Sequence, residues 1–144
     1  MPEPLHDAPC LSVCMRCKPP QWSGSDERRP GRILADAVLA ELRRRGVDAR
    51  FREIYCMSQC KRPCVAAFSA ADRFMYLFGD LDPACDAQAV VDAFLLYLSR
   101  EDGFMERSER PEKLRAGILG RIPPLAAGSR LVESDHAVMG PVHD

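Results

Sequence analysis

A chain of 144 residues, with 47% hydrophobic and 28% charged side chains, has the make-up of one soluble domain that can fold around a core without disulfide staples. Its net charge of −1 excludes the bulk attraction that drives binding to nucleic acid or anionic membranes. The longest apolar run, residues 93–98, is far too short to span a bilayer, and the polar, acidic residues 1–7 do not read as a secretory signal, so a reducing cytoplasm is the expected location.

Residues 1–10 hold three prolines and read as a loose arm. Residues 11–14 are a short apolar run, fit for a buried strand. Residues 18–31, with Pro19, Pro20 and Pro30, read as loop. From Arg32 onward Ile33, Leu34, Ala37, Val38 and Leu42 recur at helical spacing, and Gly46 is a fitting stop. Arg43, Arg44 and Arg45 fall in the last turn, where the helix dipole favours cations, and read as a solvated helix end rather than a binding patch. Residues 47–55 alternate as a strand does, and residues 56–63 form a polar loop. Residues 65–68 and 74–78 are two apolar runs, closed into a hairpin by residues 69–72. After the turn Gly79-Asp80-Leu81-Asp82-Pro83, Asp86 is placed to cap a second helix through Ala89, Val90, Ala93, Phe94 and Tyr97. Beyond Glu101 the chain is highly charged, with a short helix around residues 111–119 and a peripheral tail at 123–144.

This order predicts an α/β fold, thioredoxin-like, with a β-α-β unit followed by a β-hairpin and a helix, and a peripheral C-terminal tail. The corresponding divisions are an N-terminal arm at 1–10, a metal- or cluster-binding domain at 11–100 and a C-terminal extension at 101–144.

Seven cysteines are the compositional anomaly. In a reducing compartment, clustered cysteines point to metal or catalysis more than to cross-links, and the odd count argues against full pairing. Two groups stand out: Cys14-Met15-Arg16-Cys17, and Cys56-Met57-Ser58-Gln59-Cys60 continuing through Lys61-Arg62-Pro63 to Cys64. Each follows a predicted strand, and parallel neighbouring strands would bring both groups to one sheet edge, where α/β folds place their sites. Thiolates are soft donors suited to zinc and to iron–sulfur iron. Arg16, Lys18, Lys61 and Arg62 flank the cysteines and would offset thiolate charge, although each taken alone reads as ordinary surface charge.

Cys14, Cys17, Cys56 and Cys60 are therefore the candidate ligands, with Cys64 a further candidate that reads better as a buried residue opening a strand. Cys85 reads as a small buried hydrophobe, and Cys10 has no role in the arm. Cys10, Cys14 and Cys17 also fit the C-x3-C-x2-C spacing of radical-SAM clusters, but the chain is too short for the barrel that chemistry needs. Cys14 and Cys17 could form a redox dithiol, yet a proline-rich loop separates Cys17 from the helix that would activate it. His6, His136 and His143 show no ligand spacing, and Asp80 and Asp82 read as turn formers.

The stretch over residues 56–97 resembles the thioredoxin-like [2Fe–2S] ferredoxins: Cys56-x3-Cys60, then Lys61-Arg62-Pro63, two strands including Met75-Tyr76-Leu77-Phe78-Gly79-Asp80, and a helix from Asp86. Cys14 matches that family's first ligand. The departure is the second, which the family places well downstream of the first, whereas Cys17 follows Cys14 by three. Over residues 11–125 the chain is also similar to a bacterial family of small, uncharacterised, predicted metal-binding proteins. Those proteins share the Val-Cys-x2-Cys and Cys-x3-Cys-Lys-Arg-x-Cys patterns, Tyr76-Leu77-Phe78-Gly79-Asp80, and Leu119-Gly120-Arg121-Ile122-Pro123-Pro124. That resemblance implies a setting beside cobalamin-synthesis genes, with an electron-donor or metal-handling role. The ferredoxin resemblance implies a homodimer.

The expectation is a metal-binding protein rather than an enzyme: a [2Fe–2S], ferredoxin-like one-electron carrier on Cys14, Cys17, Cys56 and Cys60, serving a redox partner protein, with neither nucleic acid nor membrane bound. The alternatives are a zinc-binding structural or metal-handling module on the same thiolates and, behind it, a thiol oxidoreductase using Cys14 and Cys17.

Overall fold

Leu11 and Val13 are wholly buried, and so are Cys10, Ser12 and Cys14 on the opposite side of the same strand; only a strand inside a sheet loses both faces to neighbours. The computed structural model, which describes residues 8–24 and 28–141, places this strand accordingly. β1 (Cys10–Cys14) lies between β2 (Arg50–Ile54), to which it runs parallel, and β3 (Ala66–Ser69), to which it runs antiparallel. β4 (Met75–Phe78) and β5 (Ile118–Ile122) extend the sheet antiparallel, giving the order β2-β1-β3-β4-β5. The crossover from β1 to β2 is α1 (Pro30–Arg44), and α2 (Ala87–Ser99) follows the β3–β4 hairpin. A 3₁₀ turn at Arg107–Glu109 and the short α3 (Lys113–Ala116) lead into β5.

Register explains the core. Leu11 pairs with Phe68 and Phe68 with Tyr76, while Val13 pairs with Ala66 and Ala66 with Phe78, so these residues share one face of the sheet. Leu34, Ala35 and Val38 of α1 and Val90, Val91, Phe94 and Tyr97 of α2 are buried in the same core. Phe68 sits at its centre, with ring centroids 5.2 Å from Phe78, 5.2 Å from Phe94 and 5.5 Å from Tyr97. The opposite face carries Ser12, Arg52, Ala67, Met75, Leu77 and Ile122 along an open groove of about 370 Å3.

Pro30 occupies the first turn of α1, where its missing N–H costs nothing, and Gly46 closes the helix at φ +64°. Two of the three arginines at that end, Arg44 and Arg45, are more than a solvated cap. Glu41 accepts from Arg44 at 2.5 Å and from Arg45 at 2.6 Å, and Arg45 reaches Asp92 of α2 at 2.6 Å, tying the two helices together. These guanidinium hydrogen bonds hold the Glu41 carboxyl at about 2, well below its usual 4.5. A carboxyl depressed by folding stabilises above its unfolded value and loses that contribution as pH falls through its folded value. Glu41→Gln is therefore expected to melt below wild type at pH 7, with the gap closing between about pH 4.5 and about pH 2. Melting followed by circular dichroism across that range checks it, and a gap independent of pH would reject the assignment.

The C-terminal part differs most from the sequence reading. The helix expected at 111–119 shrinks to Lys113–Ala116, and Ile118–Ile122 becomes the fifth strand. Met75 pairs with Ile122 and Leu77 with Gly120, so the free edge of β4 decides the outcome against weak local preference. The Tyr76 hydroxyl accepts from Met105 N at 2.8 Å, anchoring the segment that leads there. Residues 123–141 carry no helix or strand, and Leu125, Val138 and Met139 are exposed. Asp86 stands at the expected N-cap position of α2, but its carboxylate accepts from Asp82 N at 2.6 Å and Lys113 Nζ at 2.9 Å instead of capping the helix. No helix among the described residues is long and apolar enough to cross a membrane.

Candidate metal centre

Because β1 and β2 are parallel, with Cys14 opposite Ile54, the loops that follow them leave the same end of the sheet. Met15 N donates to Ile54 O at 2.7 Å. The start of β3 arrives there too, since Cys14 N donates to Val65 O at 3.1 Å. Residues 14–17, 56–60 and 64 are thereby drawn to one region, which strand geometry alone dictates once the pairing is set.

The first turn of α1 closes this region from one side. Gly31 N donates to Cys17 O at 2.9 Å, and a Cβ on Gly31 would stand 2.3 Å from Cys14 O and 2.9 Å from Cys17 N. Only glycine permits that approach. A loop separates the dithiol from its helix in sequence, yet the helix N-terminus stands against Cys14 and Cys17. Sequence reasoning missed Gly31; the Pro30-Gly31 pair at a helix start marks a boundary but not a close contact.

Cys14, Cys17 and Cys64 are buried, whereas Cys56 and Cys60 are exposed in the neighbouring loop. The Cys17 thiol donates to the Cys14 sulfur. That bond above all, joined by the backbone N–H groups of Met57, Arg16 and Cys17, lowers the Cys14 thiol to about 6 against the opposition of burial. The same bond, then burial, pushes Cys17 upward. Burial, then the charges of Cys14 and Asp82, pushes Cys64 up to about 12. Cys56 Sγ accepts from Ser58 N at 3.4 Å, in a turn where Ser58 takes φ +60°. Among the described residues, no three or more His, Cys, Asp or Glu side chains converge on one point as an ion would require.

The remaining candidates fall as follows. Arg62 is bound to Asp80 at 2.5 Å, so its charge is shared, and Asp80 pins the cysteine loop besides forming a turn. Arg16 lies over the Tyr55 ring at 5.1 Å; Lys18 is half-buried and Lys61 exposed. Cys64 is buried as expected. Cys10 belongs to β1, buried, and not to the arm, because Arg50 N binds Pro9 O at 3.0 Å and starts the sheet one residue earlier. Cys85, expected inside, is exposed beside Asp82 and Asp86, whose carboxylates raise its thiol. His136 is exposed in the tail; His6 and His143 lie outside the described residues.

Fold and site together define a thioredoxin-like α/β protein with thiols gathered at the carboxyl ends of its two parallel strands. The chain belongs to the family described as "Protein of unknown function (DUF1636)", which matches residues 11–124. Its backbone is similar to the thioredoxin-like [2Fe–2S] ferredoxin from Aquifex aeolicus, with a TM-score of 0.52 and 17% identity, covering 83% of this chain and 98% of that one. A second structure, the wild-type form of that ferredoxin, gives a TM-score of 0.50 and 18% identity over 79% and 98% of the two chains. At such identity the likeness establishes the fold. No curated protein matches the chain.

Proposed function

We propose that the protein holds a [2Fe–2S] cluster on Cys14, Cys17, Cys56 and Cys60 and serves as a one-electron carrier for a redox partner protein. The observation that carries this reading is the arrival of two cysteine pairs, one from each loop, at the same end of two adjacent parallel strands. A dinuclear cluster takes its four thiolates as two pairs, one per iron, and so does not need three sulfurs converging on one point. Bound there, the cluster supplies a one-electron couple. The chain supplies the rest. Backbone hydrogen bonding from Met57, Arg16 and Cys17 favours the Cys14 thiolate and would offset its charge. The buried Met15, Val65 and Leu81 keep water from one side. The Arg62–Asp80 pair holds the second loop against the turn after β4. Cys64, buried, forms a wall of the site.

The dithiol reading has in its favour the N-terminus of α1, which Gly31 sets against Cys14 and Cys17. Against it, the two sulfurs belong to residues only 3% and 2% exposed, which denies a disulfide substrate access.

Purification without oxygen tests the proposal. The expected product is brown, with about two irons and two sulfides per chain. A colourless protein with about one zinc per chain would reject electron transfer and leave a structural or metal-handling module.

A further inference from the structure

Arg110 is 3% exposed, and its Nε and Nη1 are buried without a hydrogen-bond partner among the described residues. A buried guanidinium is ordinarily paired with a carboxylate, because the desolvation of an unpaired charge is heavily unfavourable. Here the neighbours are of the wrong sign. Burial and the like charges of Arg121, Arg107 and Arg115 oppose the Arg110 charge, and its Cζ lies over the Tyr76 ring at 5.9 Å from the centroid. The adjacent Glu109 is taken by Arg100, and its other oxygen closes the 3₁₀ turn on Glu106 N. Arg115 spends its donors on the carbonyls of Arg110 and Ser108, and Arg107 reaches the carbonyl of Arg115. Arg107 and Arg115 are thus held by backbone oxygens, and among the described residues Arg110 is left without a carboxylate partner.

Arg107, Arg110 and Arg121 also line a single cleft of about 400 Å3, whose other wall is Ile118, Leu119 and Gly120 of β5. That is the size of a small-molecule site. A guanidinium fork matches two oxygens of a phosphate or carboxylate at once, and three such groups around one cleft suit a ligand of more than one negative charge. Ile118 and Leu119 offer apolar contact to whatever carries the anionic group. None of the cysteines takes part.

We infer that this cleft binds a small polyanion through an oxyanion group, phosphate or carboxylate, seated on Arg110 and closed on by Arg107 and Arg121. The bound anion supplies a counter-charge where Arg110 lines the cleft, and the burial that is unfavourable without ligand becomes a source of affinity.

Calorimetric titration and melting of the full chain with inorganic pyrophosphate, and separately with citrate, test this at ionic strength matched with sodium chloride. Wild type is expected to bind saturably and to melt higher as ligand is added. Arg110→Met is expected to bind about tenfold more weakly or worse, while melting no lower than wild type without ligand, since it exchanges an unpaired buried charge for apolar packing. Binding of pyrophosphate alone identifies a phosphate group as the ligand chemistry; comparable binding of citrate identifies a carboxylate source. Both support the site. Absence of saturable binding by either probe, or an equal response in wild type and Arg110→Met, overturns it. Should Arg110→Met fail to fold, the surface pair Arg107→Gln with Arg121→Gln provides the same comparison, with unchanged affinity as the overturning result.

Discussion

If the proposed cluster is held as described, Cys14→Ala protein purified without oxygen is expected to lose the visible absorption and most of the iron found in wild type, while keeping its far-ultraviolet circular dichroism. The thiol lies at the end of β1, where an alanine leaves only a small gap between strands that remain paired, so loss of metal and loss of fold separate cleanly. Cys17→Ala, Cys56→Ala and Cys60→Ala should behave alike. Cys10→Ala and Cys85→Ala should retain iron at the wild-type level: Cys10 begins β1 at the far end of the strand from Cys14, and Cys85 sits beside Asp82 and Asp86 before α2. Cys64→Ala is the discriminating variant. As a wall of the site it costs some stability and little iron; iron loss equal to that of Cys14→Ala would put Cys64 among the ligands in place of one of the exposed pair. Iron and sulfide analysis on the whole series decides the ligand set.

Gly31→Ala is expected to lower the melting temperature by about 5 °C or more and to reduce metal content with it. Alanine in a helix is favoured over glycine by about 1 kcal/mol, so intrinsic propensity predicts the reverse. The added carbon, however, would meet Cys14 O at 2.3 Å, Cys17 N at 2.9 Å and the Met15 carbonyl carbon at 3.0 Å. All three are backbone atoms of the loop that presents Cys14 and Cys17, and none can rotate away as a side-chain tip would. Overpacking of this kind costs about 1–3 kcal/mol, more when the backbone must shift, and so outweighs the propensity gain. Gly120→Ala is the matched control, because nothing lies within 4 Å of its Cβ position. If Gly31→Ala melts with wild type and keeps its metal, the close approach of α1 to the cysteine loop does not shape the site.

Local pattern was enough to read much of this molecule. Leu34, Val38 and Leu42 announce α1 because helix periodicity puts them on one face, and Pro30 and Gly46 bound it through constraints that act within one or two residues. The alternation around Phe51 and the two runs ending at Phe68 and Phe78 announce strands for the same reason, and the parallel pairing of β1 with β2 follows from the helix between them. The spacing of Cys14 with Cys17 and of Cys56 with Cys60 is likewise written in the chain. What the tertiary structure alone decided involves partners far apart in sequence. β5 forms because β4 has a free edge, which no window around Ile118 contains. Gly31 and Asp80 matter through contacts with Cys14 and Arg62 across loops. Cys85 ends outside and Cys10 inside because burial depends on which neighbours arrive. Arg110 is an ordinary charged residue in a charged stretch until the segment folds over Tyr76 and closes water away from it, because solvation belongs to the folded surroundings and not to the residue.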